Sequence, residues 1–473
     1  MKGLVAGALK YRFVVLIATA LVAVFGVFSL GQLPIDAVPD ITPNQVLVLT
    51  KAPSLSPVEI EQYLTFPVES AMTGLPGVTR IQSVSKNGIS YVAIYFKDNM
   101  DVYRARQLVS ERLVQAKESI PSNIASPEMG PIATGLGEIY QFKVTAKDKS
   151  PMELRTILDW DVAPKLRTVP GVVEVNSQGG ELKTYEAQVD YDKLTAYHIR
   201  LERVIAALQS NNANAGGAYL EHFEQQSLIR GEALIKSLSD IEDIVIGVSS
   251  TGTPILIRNV ATVHFAPMVR QGFATENGNG EIVIGVAMML IGENSGAVAE
   301  RVKAKLQDIQ QFLPKGVSVV PLYDRTDLVH RTIGTVRRNL IEGGLLVIVV
   351  LLLLLGSWRG GLIVATAIPL SMLIAFTGMV QANISGNLMS LGAIDFGLIV
   401  DGAVVMVENI IRHLGHRRDG DSVMDTIRTA AQEVARPIFF AVTIIVLVYV
   451  PILTLGGWKG RCSGQWPLRC SLL

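Results

Sequence analysis

Apolar residues are unevenly spread along the 473-residue chain. They gather at residues 13–35 and again beyond residue 340, whereas the long middle mixes apolar and polar positions as a water-exposed domain does. Residues 13–35 carry no charge and follow Lys2, Lys10 and Arg12. About 20 consecutive apolar residues cross a bilayer as a helix. A secretory leader shares the positive start, but its apolar region is shorter and ends at a small-x-small cleavage site, which is not evident before Leu33. An uncleaved first span is therefore expected. The second cluster predicts four more spans, at residues 340–358, 361–380, 387–411 and 437–457.

Positive residues fix the orientation of such spans. Residues 412–436 hold Arg412, Arg417, Arg418, Arg428 and Arg436 and are read as a cytoplasmic loop. The turn with Arg359 is then cytoplasmic, the uncharged stretch 381–386 lies outside, and residues from about 36 to 335 lie outside too. Arg337 and Arg338 run against this assignment, but the larger count decides it.

The outer region repeats itself. Ser56-Pro57-Val58-Glu59-Ile60 returns as Ser150-Pro151-Met152-Glu153-Leu154, and Leu75-Pro76-Gly77-Val78 returns at the same separation as Val169-Pro170-Gly171-Val172. Each copy reads as a helix capped by Ser, opened by Pro and closed by a Pro-Gly turn, with a strand after it. Strands are expected at 45–50, 79–85 and 91–96. A second helix at 102–120 has its counterpart at 297–313. The pattern predicts two βαββαβ (ferredoxin-like) units. The second is interrupted between residues 183 and 272 by an insertion long enough for a small domain, and the Asn/Gly-rich stretch 211–217 falls inside it.

Composition adds exclusions. Lys plus Arg and Asp plus Glu each number 42, so no net charge favours a nucleic-acid partner. The two cysteines, Cys462 and Cys470, lie near the C-terminal end with no CxxC or Cys/His cluster, which excludes a thiolate metal centre. There is no Walker motif, nucleophile elbow or His-Glu-x-x-His, so an enzyme is disfavoured and no cofactor is expected.

The sharpest chemistry lies in the fourth expected span. Asp395, Asp401 and Glu408 interrupt an otherwise apolar helix. An ionised acid there costs several kcal/mol unless it is paired, hydrated or protonated. Asp401 and Glu408 lie about two turns apart on one face, and Asp395 is turned roughly 120° from Asp401. Desolvation raises the pKa of such a carboxyl and a nearby cation lowers it, which makes a proton site whose occupancy can couple to shape. Gly397 and Gly402 let a neighbouring helix approach closely. The bland alternatives are an interhelical hydrogen bond, or, for Glu408, snorkelling to the inner edge.

These residues resemble the fourth transmembrane helix of the resistance-nodulation-division transporters. Drug exporters of that superfamily carry two adjacent aspartates in a Val-Asp-Asp-Ala sequence; here Gly402 replaces the second, and Asp395 supplies an acid earlier. The Asp-Phe-Gly…Asp-Gly-Ala…Glu-Asn pattern is similar to the divalent-cation branch, the cobalt–zinc–cadmium and nickel–cobalt pumps. So are residues 33–41, Gly130-Pro131-Ile132 with 135–140, and 211–217. The resemblance implies an α+β membrane protein with a bundle of about five helices. Residue 1–35 would form the first helix, 36–134 a first porter subdomain, and 135–182 with 273–335 a second. Residues 183–272 would form a docking subdomain inserted in the second porter unit, and 336–457 helices two to five. It further implies an inner-membrane homotrimer with a large periplasmic region, working with a periplasmic adaptor and an outer-membrane channel. Protons and divalent metal ions would be the transported species. Asp395, Asp401 and Glu408 would carry the proton relay.

Full members of that superfamily are about twice as long, and residues 458–473 do not resemble them. A frameshift near Gly457 is one origin for such a tail, and the chain alone is then expected to be inactive. Two other readings compete with the N-terminal half of a metal exporter: part of a drug or amphiphile exporter, against which Gly402 argues, and a non-transporting membrane anchor that displays a periplasmic binding module. Weaker signals are better read as ordinary packing or solvated surface than as metal sites. These are Met372, Met379, Met389 and Met406 as a thioether path, His413 and His416 as a ligand pair, and Asp159-Trp160-Asp161 at a cleft. The metal-binding residues stay unknown.

Overall fold

A computed structural model describes residues 2–33, 36, 42–121, 124–133, 135–223, 225–249, 252–270, 272–381, 386, 396–417 and 422–453, with backbone alone at 2, 340, 396–400 and 449–453. After a short helix Lys2–Lys10, helix α1 spans Arg12–Gln32. The chain then enters strand β1, Gln45–Lys51, whose alternate residues Val46, Val48 and Thr50 are buried as a strand with one covered face requires. Helix α2 (57–72) follows, then β2 (Val78–Lys86), β3 (Ile89–Phe96), α3 (Val102–Ser119) and β4 (Glu128–Met129). The four strands form an antiparallel sheet in the order β2-β3-β1-β4. Ile60, Leu64, Val68 and Met72 of α2, and Ala105, Val109 and Leu113 of α3, repeat at helical spacing and pack on that sheet as one core.

The same plan recurs. Strands β5 (Glu138–Thr145), β6 (Val172–Gln178), β13 (Val283–Met289) and β14 (Ser318–Asp324) form an antiparallel sheet in the order β14-β5-β13-β6. Helix α4 (151–166) follows β5, and α6, Ser295–Gln310, joins β13 to β14. Numbered within its own unit, each sheet has the order 2-3-1-4, read in reverse in the second. Both first helices open on a Ser-Pro cap: in the second, Glu153 N donates to Ser150 Oγ at 3.3 Å while Ser150 N donates to the Glu153 carboxylate at 2.9 Å.

Neither first helix is regular. Helix α2 runs from Pro57–Ile60 through a π-helical turn, Glu61–Thr65, into Phe66–Met72. Helix α4 runs from Pro151–Ile157 through the π turn Leu158–Val162 into Ala163–Leu166. In both, a proline (Pro67, Pro164) stands just after the wide turn. A mid-helix proline lacks a donor and clashes with the carbonyl four residues earlier. One wide turn relieves the clash without ending the helix.

Between β6 and β13 the chain builds a separate core around Leu194, Val204, Ile246, Ile257 and Val260. Strand β7 (Lys183–Val189) pairs with β12 (Ala261–Pro267) at its base. Between them lie helix α5 (Leu201–Ser210), the hairpin β8 (Ala215–His222) with β9 (Gln225–Gly231), and the short pair β10 (Val245–Val248) with β11 (Pro254–Leu256). Every described residue of the β8–β9 hairpin is exposed, including Tyr219, Leu220, Leu228 and Ile229.

Among the described residues, four further long helices follow: α7 (Arg325–Leu355), α8 (Trp358–Gln381), α9 (Phe396–Gly415) and α10 (Val423–Leu453). Among the described residues, α1, α7, α8 and the Val423–Val448 part of α10 are long and apolar enough to cross a membrane. Sequence reading expects five spans; the first part of the fourth, at 387–411, lies outside the described residues, and its described part belongs to α9, which carries Asp401, Glu408 and Arg412. The helices also extend past the expected spans. Helix α7 begins at Arg325, well before residue 340, and carries Arg337 and Arg338 as part of one continuous helix. The basic stretch read as a loop at 412–436 is largely helical: α9 runs on to Gly415 and α10 starts at Val423, so Pro437 lies inside a helix rather than at its start. Charge sets where a helix leaves the apolar layer, not where its hydrogen bonds end. Helix α1 packs closely on α8, where a Cβ on the buried Gly26 would collide with Leu373. Ala403, Val404 and Val407 of α9 pack against Leu351, Val364 and Ile368 of α7 and α8.

Candidate functional site

Helix α9 offers three faces. Ala403, Val404 and Val407 face α7 and α8. Gly402 and Asn409, seven residues apart, face α10: a Cβ added to Gly402 would lie 3.3 Å from Ile438 Cγ2, and Asn409 Nδ2 donates to the Ala430 carbonyl at 2.9 Å. The third face holds Asp401, Val405 and Glu408, all exposed. Their spacing of four and three residues sets them in one stripe. Neither carboxylate has a hydrogen bond or ion pair among the described residues. Among the described residues, two acids thus stand on a side of α9 that α7, α8 and α10 leave uncovered. Asp395 lies outside the described residues, and of Gly397 only the backbone is described.

A polar cluster closes the basic end of the α9–α10 pair. Asn409 Nδ2 also donates to the Glu433 carboxylate at 3.1 Å, Arg412 donates to Asn409 Oδ1 at 2.7 Å, and His413 Nε2 lies 3.0 Å from Glu433. His416 points back to the Arg412 carbonyl at 2.9 Å. The two histidines therefore have separate protein partners and do not converge. Sequence reading passed over Glu433, since its partners stand 20 and 24 residues away across a helix–helix contact.

Of the other weak candidates, Met389 lies outside the described residues. Met379 is buried with Leu33, Val336 and Phe376, and Met372 packs between the two membrane cores. Asp159 is paired with Arg155 at 2.8 Å, and Trp160 is exposed. No group of three or more His, Cys, Asp or Glu among the described residues is arranged to hold a metal ion.

At the head of α7, Asp324 serves as the N-cap, accepting from Thr326 N at 2.9 Å, and binds Lys303 of α6 at 2.9 Å. Burial pushes the Asp324 carboxyl up, but the hydrogen bonds from Thr326 and Lys303 outweigh it and leave its pKa below the ordinary value. The same hydrogen bond raises the Lys303 ammonium. A depressed carboxyl contributes stability that is present above its unfolded pKa and lost as pH falls through the folded one. Acidification from neutrality to below about pH 4 is therefore expected to lower the apparent Tm, and the drop should be smaller in Asp324→Asn.

These features define an integral membrane protein: a set of apolar helices, one bearing uncovered acids, carries two topologically matched αβ units. The AcrB/AcrD/AcrF family model matches residues 4–466, and the chain belongs to that family. It is 48% identical over 468 residues to protein HelA of Legionella pneumophila, covering 96% of this chain and 44% of that protein. It is 47% identical over 470 residues to the cobalt-zinc-cadmium resistance protein CzcA of Cupriavidus metallidurans, again covering 96% of this chain and 44% of the relative. A crystal structure of a heavy metal efflux pump superposes with a TM-score of 0.87 at 36% identity, over 99% of this chain and 46% of that one. The chain spans about half the length of the curated relatives it matches.

Proposed function

We propose that this chain is the N-terminal half of a proton-driven, resistance-nodulation-division exporter of divalent heavy-metal ions in the inner membrane. The observation that carries the reading is the pair Asp401 and Glu408 on the uncovered face of α9. Ionised, such a face needs water, a cation or a polar partner; protonated, it tolerates apolar contact. Proton binding thus changes which neighbour the helix prefers, and a gradient of protons can cycle it between two packings. Asp395, Asp401 and Glu408 are the relay in this reading. Gly402, against α10, and Gly397 allow the close helix contacts within which α9 shifts.

The two matched sheet units, 36–134 and 135–182 with 273–335, would form the periplasmic porter, and residues 183–272 the docking subdomain. The exposed apolar hairpin β8–β9 supports assembly with further copies, in keeping with a homotrimer that meets a periplasmic adaptor and an outer-membrane channel. The substrate class rests on relatives named for cobalt, zinc and cadmium resistance and for heavy metal efflux. Gly402 in place of a second aspartate supports that branch over drug exporters.

The test is ion selectivity. In proteoliposomes containing the pump in which this chain is assembled, zinc, cobalt or cadmium should drive counterflow of protons reported by a trapped pH dye, and amphiphilic drugs should not. Drug-driven proton movement without a metal response would sink the assignment.

A further inference from the structure

The turn between α7 and α8 carries a positive charge that no carboxylate answers. Helix α7 closes on Gly356, whose φ of +57° suits a residue without a Cβ, and α8 opens two residues later. Adjacent glycines then draw α8 against both neighbours. An added Cβ would lie 2.6 Å from Leu352 Cδ2 of α7 at Gly361, and 2.5 Å from Ile411 Cδ1 of α9 at Gly360. Trp358 and Arg359 are thereby held beside Ile411 and Arg412, at the end of the bundle that the basic count assigns to the cytoplasm. Both Trp358 and Arg359 are exposed, and the guanidinium carbon stands 5.5 Å from the centre of the Trp358 ring. No acid occurs in the sequence between Glu342 and Asp395, and among the described residues Arg359 has no hydrogen bond or ion pair. Arg412 gives its side-chain bond to the neutral amide of Asn409. On either side of the turn in the chain, the end of α7 exposes Leu354 and the start of α8 exposes Leu362 and Ile363.

From this juxtaposition we infer that the Trp358–Arg359 turn, with Arg412 beside it, is a binding site for the headgroup of an anionic phospholipid. The inference rests on the proposed placement of the helices in the inner membrane and not on transport. A guanidinium fork meets two phosphate oxygens at once. The indole suits the depth at which tryptophan settles in a bilayer, and the ring face keeps the guanidinium there. The exposed Leu and Ile side chains offer the acyl chains an apolar wall. A zwitterionic lipid carries its own ammonium, which neutralises the phosphate and is repelled by Arg412; a glycerol headgroup has no such charge. Two cations at one level therefore select net negative charge. Snorkelling to water is the competing account of a lone interfacial arginine, and it predicts no preference among headgroups.

The test reads the site at Trp358 itself. In the full chain carrying Trp160→Phe, Trp458→Phe and Trp466→Phe, Trp358 is the one indole left of four. That protein is placed in phosphatidylcholine nanodiscs, and its fluorescence is quenched by phosphatidylglycerol or phosphatidylcholine brominated near the headgroup end of the acyl chains. Each cation near an anionic lipid surface favours association by about fivefold. Phosphatidylglycerol should therefore occupy the site about fivefold or more better than phosphatidylcholine. Arg359→Gln should remove about fivefold of that preference, and Arg359→Gln with Arg412→Gln should bring the two lipids to parity. Inorganic phosphate at matched ionic strength should leave the quenching unchanged; displacement by it would assign the site to a free anion and overturn the lipid claim. Equal quenching by the two lipids overturns the inference while leaving the membrane placement standing, as does a preference that survives Arg359→Gln. Quenching by neither lipid removes the placement as well. If Arg359→Gln fails to enter nanodiscs, Arg412→Gln decides by the same threshold.

Discussion

Asp401→Asn should abolish metal-driven proton movement by the assembled pump while leaving its fold intact. Asparagine keeps the size and polarity of the residue but cannot take up or release a proton in this pH range. The substitution removes no hydrogen bond or ion pair among the described residues, because Asp401 is exposed on α9 and has no partner there. It also removes a charge that is expensive in an apolar layer, so the change should be neutral or mildly stabilising. Transport and stability are therefore expected to part company: flux falls to the background of empty vesicles, and the melting profile is retained. An anchor that only displays its outer units would be indifferent to the change.

Gly285→Ala should cost stability in the second sheet through a single methyl group. Gly285 lies in β13, the strand between β5 and β6, directly opposite Phe142. The Phe142 ring is fully buried and lies over the glycine, so an added Cβ would overlap the ring. Neither side can yield cheaply: the ring is hemmed in by the core of the second sheet, and β13 is held by ladders on both edges. Overpacking of this kind costs about 1–3 kcal/mol, occasionally more. Phe142→Leu in the same chain makes room and should recover part of the loss. Amide exchange of 138–145 and 283–289 should report both changes, while exchange in the first sheet stays as it was. Equal sensitivity of both sheets would mean that they unfold as one unit.

Much of the region between α1 and α7 was legible because local rules agree with one another there. The Ser-Pro starts, the Pro-Gly-Val turns and the alternation through Val46 and Val48 each give the same element, and the strands and second helices start within about two residues of their expected positions. Less was legible where tertiary context decides. The π turns before Pro67 and Pro164 leave no periodicity signal of their own. The basic stretch 412–436 reads as a loop because its charges forbid the apolar layer, yet nothing in it breaks a helix until the turn near residue 417. The acids of α9 stood out by type alone. Which face they occupy was not legible in the same way, since it depends on how α7, α8 and α10 pack around the helix. The ion pair of Arg325 with Asp36 could not be singled out at all: the two residues lie 289 positions apart, and only the folded chain brings them together.

The central claim is that Asp401 is an exchangeable proton site within the membrane. The most direct measurement is infrared difference spectroscopy of the bilayer-reconstituted chain across a pH titration, comparing the native protein with Asp401→Asn. The account predicts a protonated-carboxyl band that grows as pH falls and is missing from the variant. Identical difference spectra for the two proteins would contradict it.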